Sequence, residues 1–266
     1  MGWATSDEDR VLLLRGDGYS MSAIAKDLGV SLSSVKHKLR RLAQARNEDK
    51  YKHTDEKHAQ AKPLLSRLLK ESGRVGLFTL ETHAGFGGMT ELYGQFGEVT
   101  AMEVKPERVE AIEMKGLQDV DVICADSEVE IHRLVASRCV FDVVDIDPYG
   151  MPSRYFPHAF SLIRHGIMFV TLPMYGVAQM NKLTTKHHEV FWGGTGAEGY
   201  LERVAGKLQD FGYMAGRRVS VESCEKLDRI YRIALRVDKA SLCDLVGLEV
   251  SKLPLDADDS RQSNLW

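Results

Sequence analysis

Short apolar runs bounded by turn residues alternate along most of this chain with stretches whose apolar positions recur every three or four residues. That alternation is the pattern of buried strands separated by amphipathic helices. It predicts helix over 64–70, strand over 75–80, helix over 89–96, strand over 99–104 and helix over 106–115, with Pro106 at a permitted first-turn position. Strand follows over 120–124, helix over 127–136, strand over 141–146, helix over 155–163 and strand over 167–172. Residues 175–196 break the rhythm. It resumes with a helix over 197–211 and two strands, 218–223 and 230–237, that can close the sheet as a hairpin. Alternation of this kind builds a doubly wound α/β domain.

The first 47 residues read differently. Thr5 or Ser6 can cap a helix whose first turn carries Asp7, Glu8 and Asp9, and Val11, Leu12 and Leu14 form its apolar face. Ser20 or Ser22 opens a second helix with Ile24, Ala25 and Leu28 inward and Gly29 at its exit. Ser31 caps a third, with Leu32, Val35, Leu39 and Leu42 at helical spacing. Between residues 31 and 47, Lys36, Lys38, Arg40, Arg41 and Arg46 are joined by His37 and by no acid. Two short helices followed by a basic one are the layout of a helix-turn-helix. The segments from Trp3 to Asp9, Ile24 to Gly29 and Val35 to Leu42 resemble Myb-like and sigma-factor-like DNA-binding domains. On that resemblance Lys36, Lys38, Arg40 and Arg41 contact nucleic acid; the alternative is a three-helix protein-interaction module. The expected organisation is a helix-turn-helix domain over 1–47, a linker or exposed helical extension over 48–60, a catalytic-size domain over 61–255 and a flexible tail over 256–266.

Composition narrows the class. The chain has 266 residues, 44% hydrophobic and 27% charged, with a net charge of −3, so the whole molecule is not a basic nucleic-acid binder. No apolar run approaches a bilayer span and the N-terminus lacks a signal-peptide core, which points to a cytoplasmic protein without membrane partners. The four cysteines have no CxxC spacing, so neither a zinc site nor a disulfide framework is expected.

The first strand runs into Glu81-Thr-His83-Ala84-Gly85-Phe86-Gly87. Glycines there let backbone approach a ligand, a device shared with dinucleotide enzymes. The Glu-x-x-x-Gly-x-Gly spacing resembles motif I of class I S-adenosylmethionine-dependent methyltransferases. In that family the loop wraps the methionine moiety, with an acid at the place of Glu81. The resemblance implies a Rossmann-like, mostly parallel seven-stranded sheet and S-adenosyl-L-methionine as cofactor. Glu103, at the end of the second strand, can accept both ribose hydroxyls, with Val104 beside it. Asp126 and Ser127, at the end of the third, fall where the family places a side chain on the adenine amino group. Three acids at the carboxyl ends of three successive strands share the edge where such sheets bind ligands.

The fourth strand ends in Asp145-Ile-Asp147-Pro148-Tyr149-Gly150. This resembles the Asp-Pro-Pro-Tyr motif of amino-group methyltransferases, and more closely the Asp-Pro-Tyr/Phe-Gly form of tRNA guanine-N2 dimethyltransferases, over about residues 79–173. The chemistry has its own logic. A base's exocyclic amine is a poor nucleophile because its lone pair is delocalised into the ring. A carboxylate at Asp147 and the Pro148 carbonyl can accept its two N–H groups and favour a pyramidal nitrogen, while Tyr149 stacks on the base. Cytosine-C5 chemistry is nearly excluded, because Pro148, Pro152 and Pro157 are not followed by the cysteine it needs. In the irregular stretch, Lys182, Lys186 and Trp192 suit a nucleic-acid contact loop, or an ordinary surface loop anchored by its aromatics. Taken together, the leading expectation is methylation of adenine N6 or cytosine N4 in DNA. The alternatives are tRNA guanine-N2 methylation and a DNA-binding regulator that senses the cofactor without turnover.

Overall fold

The computed structural model describes residues 10, 11, 14, 19–39, 53–148, 150–173, 191, 193, 198–228 and 230–241. The chain divides into two compact units, 1–55 and 56–266.

In the first unit, Arg10, Val11 and Leu14 are helical, α1 spans Met21–Asp27 and α2 covers 32–39. Val11, Ile24, Ala25 and Val35 form a small buried core flanked by Leu14, Met21, Leu28, Val30 and Leu39. The connections follow from side-chain chemistry. Ser20 Oγ accepts the Ala23 N–H at 3.2 Å and Ser31 Oγ accepts the Ser34 N–H at 3.0 Å, capping α1 and α2. Between them, the Gly29 and Val30 amides bond back to Lys26 and Ala25, a C-terminal stop that requires the left-handed Gly29. Lys36 and His37 are exposed on α2, whereas Lys38 is buried and does not present its side chain as a phosphate contact should. Arg40 and Arg41 lie outside the described residues.

The second unit carries most of α3 (Thr54–Ser72), which begins inside the segment expected to be a linker or exposed helical extension and continues through Pro63. Its stripe of Gln60, Ala61, Leu65 and Leu68 is buried. Strands β1 (Leu77–Glu81), β2 (Gly97–Glu103), β3 (Val120–Cys124), β4 (Phe141–Ile146), β5 (Ile163–Pro173), β6 (Arg217–Leu227) and β7 (Ile230–Lys239) form one sheet in the order β3-β2-β1-β4-β5-β7-β6. β1 to β5 are parallel, and β7 runs antiparallel to both β5 and β6. This is the expected mostly parallel, seven-stranded arrangement. One sheet face carries a core that joins α3, α4 (Gly88–Gly94) and α5 (Pro106–Glu113), including Leu65, Leu68, Tyr93, Ile112 and Phe169. The other joins α6 (Ser127–Ala136) and α7 (Tyr200–Met214), including Ile131, Leu134, Phe156, Phe160 and Leu208.

The single helix expected over 155–163 is instead three short helical turns, Ser153–Tyr155, Phe156–Ala159 and Phe160–Leu162. Strand β5 then starts at Ile163, earlier than the pattern indicated. Its register against β4 shifts between Phe141 and Val143, and a Cβ on Gly166 would lie 1.9 Å from the Asp142 carbonyl oxygen. Among the described residues no helix is long and apolar enough to cross a membrane.

Candidate functional site

The glycine loop is fixed between two strands. The Thr82 amide donates to the Asp145 carbonyl at 3.0 Å and the Ala84 amide to the Met102 carbonyl at 2.8 Å. Gly85 (φ +59°) and Gly87 (φ +77°) adopt left-handed backbone, and a Cβ on Gly87 would come within 3.0 Å of Ile112 Cγ1. α3 reaches the same loop, with His58 Nε2 2.9 Å from the Gly88 carbonyl oxygen.

His83 is held neutral within it. Thr82 Oγ1 donates to the Asp145 carbonyl at 2.9 Å, so His83 Nδ1–H donates to Thr82 Oγ1 at 2.7 Å. Its Nε2 then accepts from the Tyr155 hydroxyl at 3.2 Å, which in turn accepts from Arg154 Nη2 at 2.6 Å. Burial lowers the His83 pKa against the pull of the nearby carboxylates, in keeping with this pattern.

Glu103 is 5% exposed. Its Oε2 accepts the Gly85 amide at 3.0 Å and Arg108 Nη1 at 3.3 Å, and its Oε1 accepts the Lys105 amide at 3.0 Å. A carboxylate has about four lone-pair positions, so Oε1 retains one for a further donor. Val104 beside it is 59% exposed, an apolar surface at the ligand edge. Arg108 lies over the Phe86 ring at 5.2 Å. Asp126 is the N-cap of α6, accepting the Glu128 amide at 2.8 Å and the Val129 amide at 3.4 Å. Ser127 is buried and donates to the Thr82 carbonyl. Both therefore carry structural duties at this edge.

Glu81, Asp145 and Asp147 occupy one face of the sheet's carboxyl end. Glu81 and Asp145 are register partners on β1 and β4, and Asp147 follows Asp145 by two residues. Glu81 Oε2 accepts from Thr90 Oγ1 at 2.5 Å. Burial, then the Asp145 charge, push the Glu81 pKa up to about 8. Asp145 is neutralised by Arg232, wholly buried on β7. Arg232 Nη2 and Nη1 donate to Asp145 at 2.7 and 3.2 Å, and also to Tyr93 Oη at 3.2 Å and Thr171 Oγ1 at 2.9 Å. Tyr93 Oη donates to Asp145 Oδ2 at 2.6 Å, and burial beside that carboxylate keeps the phenol un-ionised.

Asp147 is ion-paired to Lys57 of α3, Nζ to Oδ2 at 2.5 Å, with side-chain exposures of 14% for Lys57 and 24% for Asp147. Burial alone would raise its pKa. The Lys57 ammonium and Arg232 guanidinium outweigh burial, aided by hydrogen bonds from Lys57 and Thr171, and the carboxyl is held below its ordinary range. Pro148 follows, and its carbonyl accepts the Gly150 amide at 2.8 Å, leaving one lone pair free. Tyr149, Lys182, Lys186 and Trp192 lie outside the described residues. Among the described residues no cluster of three or more potential metal ligands occurs.

Sequence reading alone left Lys57, Gln60, Tyr93, Thr171 and Arg232 out of the site. Two of them leave a trace in the pattern. Lys57 continues the buried α3 stripe through Ala61, Leu65 and Leu68 at helical spacing, and Arg232 is the charge inside the apolar run of β7.

No protein-family model matches the chain. It is 35% identical over 112 residues to the tRNA (guanine(26)-N(2))-dimethyltransferase of Pyrobaculum arsenaticum, covering 39% of this chain and 30% of the relative. To the same-named protein of Pyrobaculum aerophilum it is 35% identical over 109 residues, covering 38% of this chain and 29% of the relative. The chain thus spans less than a third of the length of these relatives. The solved structure of Trm1 from Pyrococcus horikoshii with S-adenosyl-L-methionine superposes with a TM-score of 0.52 at 14% identity, covering 66% of this chain and 54% of that one. The fold is that of Rossmann-like class I methyltransferases.

Proposed function

We propose that the protein is an S-adenosyl-L-methionine-dependent methyltransferase acting on the exocyclic N2 amine of guanine in tRNA. The observation that carries this reading is the placement of Asp147: a partly exposed, ionised carboxylate at the end of β4, beside a glycine loop with left-handed Gly85 and Gly87. Similarity to two tRNA guanine-N2 dimethyltransferases supports the choice of guanine and of tRNA. It moves the favoured substrate from DNA, the expectation from sequence, to tRNA.

The residues present fit the cofactor. The loop from His83 to Gly87 would pass its backbone along the methionine part, with Glu81 beneath. The free lone pair of Glu103 would take a ribose hydroxyl, and exposed Val104 would meet the adenine. When bound, S-adenosyl-L-methionine supplies a methyl group made electrophilic by its sulfonium. Asp147 would accept an N–H of the base amine and the Pro148 carbonyl the other, fixing the nitrogen lone pair for attack. Alignment and a preset charge pattern are the sources of acceleration. A carboxylate kept ionised by Lys57 and Arg232 accepts such hydrogen bonds where a carboxylic acid would compete as a donor.

A second reading, methylation of adenine N6 or cytosine N4 in DNA, draws on the capped N-terminal helices and exposed Lys36. One experiment separates the two. Methyl-tritiated S-adenosyl-L-methionine is offered with bulk tRNA, duplex DNA and single-stranded DNA, and the labelled nucleosides are identified. The expected label is N2-methylated guanosine, lost in Asp147→Ala. Label confined to deoxynucleosides overturns the tRNA assignment, and transfer that survives Asp147→Ala overturns the role of Asp147.

A further inference from the structure

We propose that Lys57 is a positioning residue for methyl transfer, whose ammonium fixes the Asp147 carboxylate and keeps it in the acceptor form that the substrate amine needs. This rests on the methyltransferase reading above and extends it to a helix that none of the site motifs includes.

Geometry carries the argument. Lys57 lies one helical turn before Ala61 on the buried face of α3, and that face is clamped to the sheet by Leu65 and Leu68. Gln60 adds a second fastening at the same level, donating to the Arg232 carbonyl at 3.1 Å and Ser223 Oγ at 2.9 Å. His58 fixes the other side of the helix to the Gly88 carbonyl. Lys57 therefore reaches Asp147 from a rigid base rather than from a loose surface chain.

Among the described residues, the groups facing Asp147 besides Lys57 come from the sheet and the glycine loop. Glu81 on β1 and Asp145 on β4 are acidic, Arg232 on β7 is basic, Thr171 on β5 is a hydroxyl donor, and His83 in the loop is neutral. Arg232 is already committed to Asp145 through both of its terminal nitrogens. Among the described residues, Lys57 is thus the cation that directly matches Asp147. Without it, Arg232, already bonded to Asp145, would be left among the described residues as the charge opposing burial, and burial would return Asp147 toward the protonated form. A protonated Asp147 has one oxygen turned donor and opposes the amine N–H it should accept.

The test compares full-length wild type with Lys57→Met and Lys57→Arg across pH 5–9. It measures kcat/KM for tRNA methylation, S-adenosyl-L-methionine affinity by calorimetry, and the Asp147 carboxyl titration by carbon-13 NMR. In Lys57→Met the acid limb of kcat/KM and the Asp147 titration should both move to higher pH, on the order of 1 to 3 units. Cofactor affinity should stay within about twofold, and Lys57→Arg should restore most of the profile. An Asp147 titration unchanged in Lys57→Met overturns the proposal. So does an Asp147 shift that leaves the kcat/KM profile unmoved. A wild type that methylates no nucleic acid defeats the function, while the NMR titration still decides whether Lys57 governs the carboxylate.

Discussion

Replacing Arg232 by Met should be among the most damaging single changes in the second unit. The guanidinium is wholly buried, donates two hydrogen bonds to Asp145 and one each to Tyr93 and Thr171, and lies over the Phe169 ring at 4.9 Å. Methionine refills most of the volume but leaves Asp145, 1% exposed, with the Tyr93 hydroxyl as its one remaining side-chain partner among the described residues, and beside Glu81 in register. Breaking one partner out of a buried pair costs about 3–5 kcal/mol, because the stranded charge keeps its desolvation penalty after losing its attraction. For a unit of this size that loss lowers the Tm by roughly 6–20 °C. Chemical denaturation followed by circular dichroism measures the first quantity and a thermal scan the second. Arg232→Lys should recover little, since an ammonium cannot reproduce the planar fork to both carboxylate oxygens. Arg232→Met combined with Asp145→Asn should recover about 1–2 kcal/mol, because no bare charge remains. A loss below about 1 kcal/mol in Arg232→Met, or a double variant no more stable than the single, would refute the claim that this pair organises the edge.

The remaining predictions concern the same edge and the N-terminal helices. Because the Glu81 pKa is raised to about 8 in the folded protein, folded Glu81 holds a proton that the unfolded chain gives up at about 4.5. Its stabilising contribution is therefore complete below that lower value and is lost as pH rises through 8, at about 1.4 kcal/mol per unit. Denaturation midpoints measured from pH 5 to 9 should show this fall in wild type and a flatter profile in Glu81→Gln; equal slopes would remove Glu81 as the cause. Gly87→Ala places a Cβ at φ +77° and 3.0 Å from Ile112, at a strain of about 1–2 kcal/mol. It should lower the Tm and weaken S-adenosyl-L-methionine binding by calorimetry, whereas unchanged affinity would place the cofactor away from the loop. Lys36→Ala should weaken nucleic-acid binding evenly across sequences and reduce the salt slope by about one. An unchanged slope would detach α2 from the phosphates.

The legible parts of the fold were those in which a single force decides the outcome. β3, α6 and β4 begin and end where apolar periodicity places them, because each is bounded by a turn or a capping residue such as Asp126. The helix over 155–163 failed because Pro157 opens a new turn and the crowded aromatics Tyr155, Phe156 and Phe160 are buried on separate turns, a packing outcome that periodicity does not encode. The start of α3 was hidden for a different reason. Pro63 is favoured at the first turn of a helix and reads as a beginning, while 54–60 is too polar to advertise an apolar face. Tertiary burial of Gln60 and Ala61, not local propensity, carries the helix back to Thr54.

That hidden helix turn bears directly on chemistry. The acids of the edge, Glu81, Glu103, Asp145 and Asp147, all stand at strand ends, where motif spacing can find them. The counter-charges of Asp145 and Asp147 do not. Arg232 arrives from the antiparallel β7 and Lys57 from a helix that precedes the sheet, so neither has a fixed spacing to the groups it serves. Motif reading consequently finds the acceptors and misses the cations that decide which acceptors are ionised. Glu81, bonded to the Thr90 hydroxyl and to no cation among the described residues, is driven toward the neutral form, whereas Asp147, two residues beyond Glu81's register partner on the same face, is driven the opposite way by Lys57. Two carboxyl groups of similar chemistry are thereby set to different protonation states at neutral pH, and the division is made by elements outside both motifs. The charge state of the candidate nucleophile-binding carboxylate is a property of the packed fold, and substitutions on α3 and β7 will alter it without touching a motif residue.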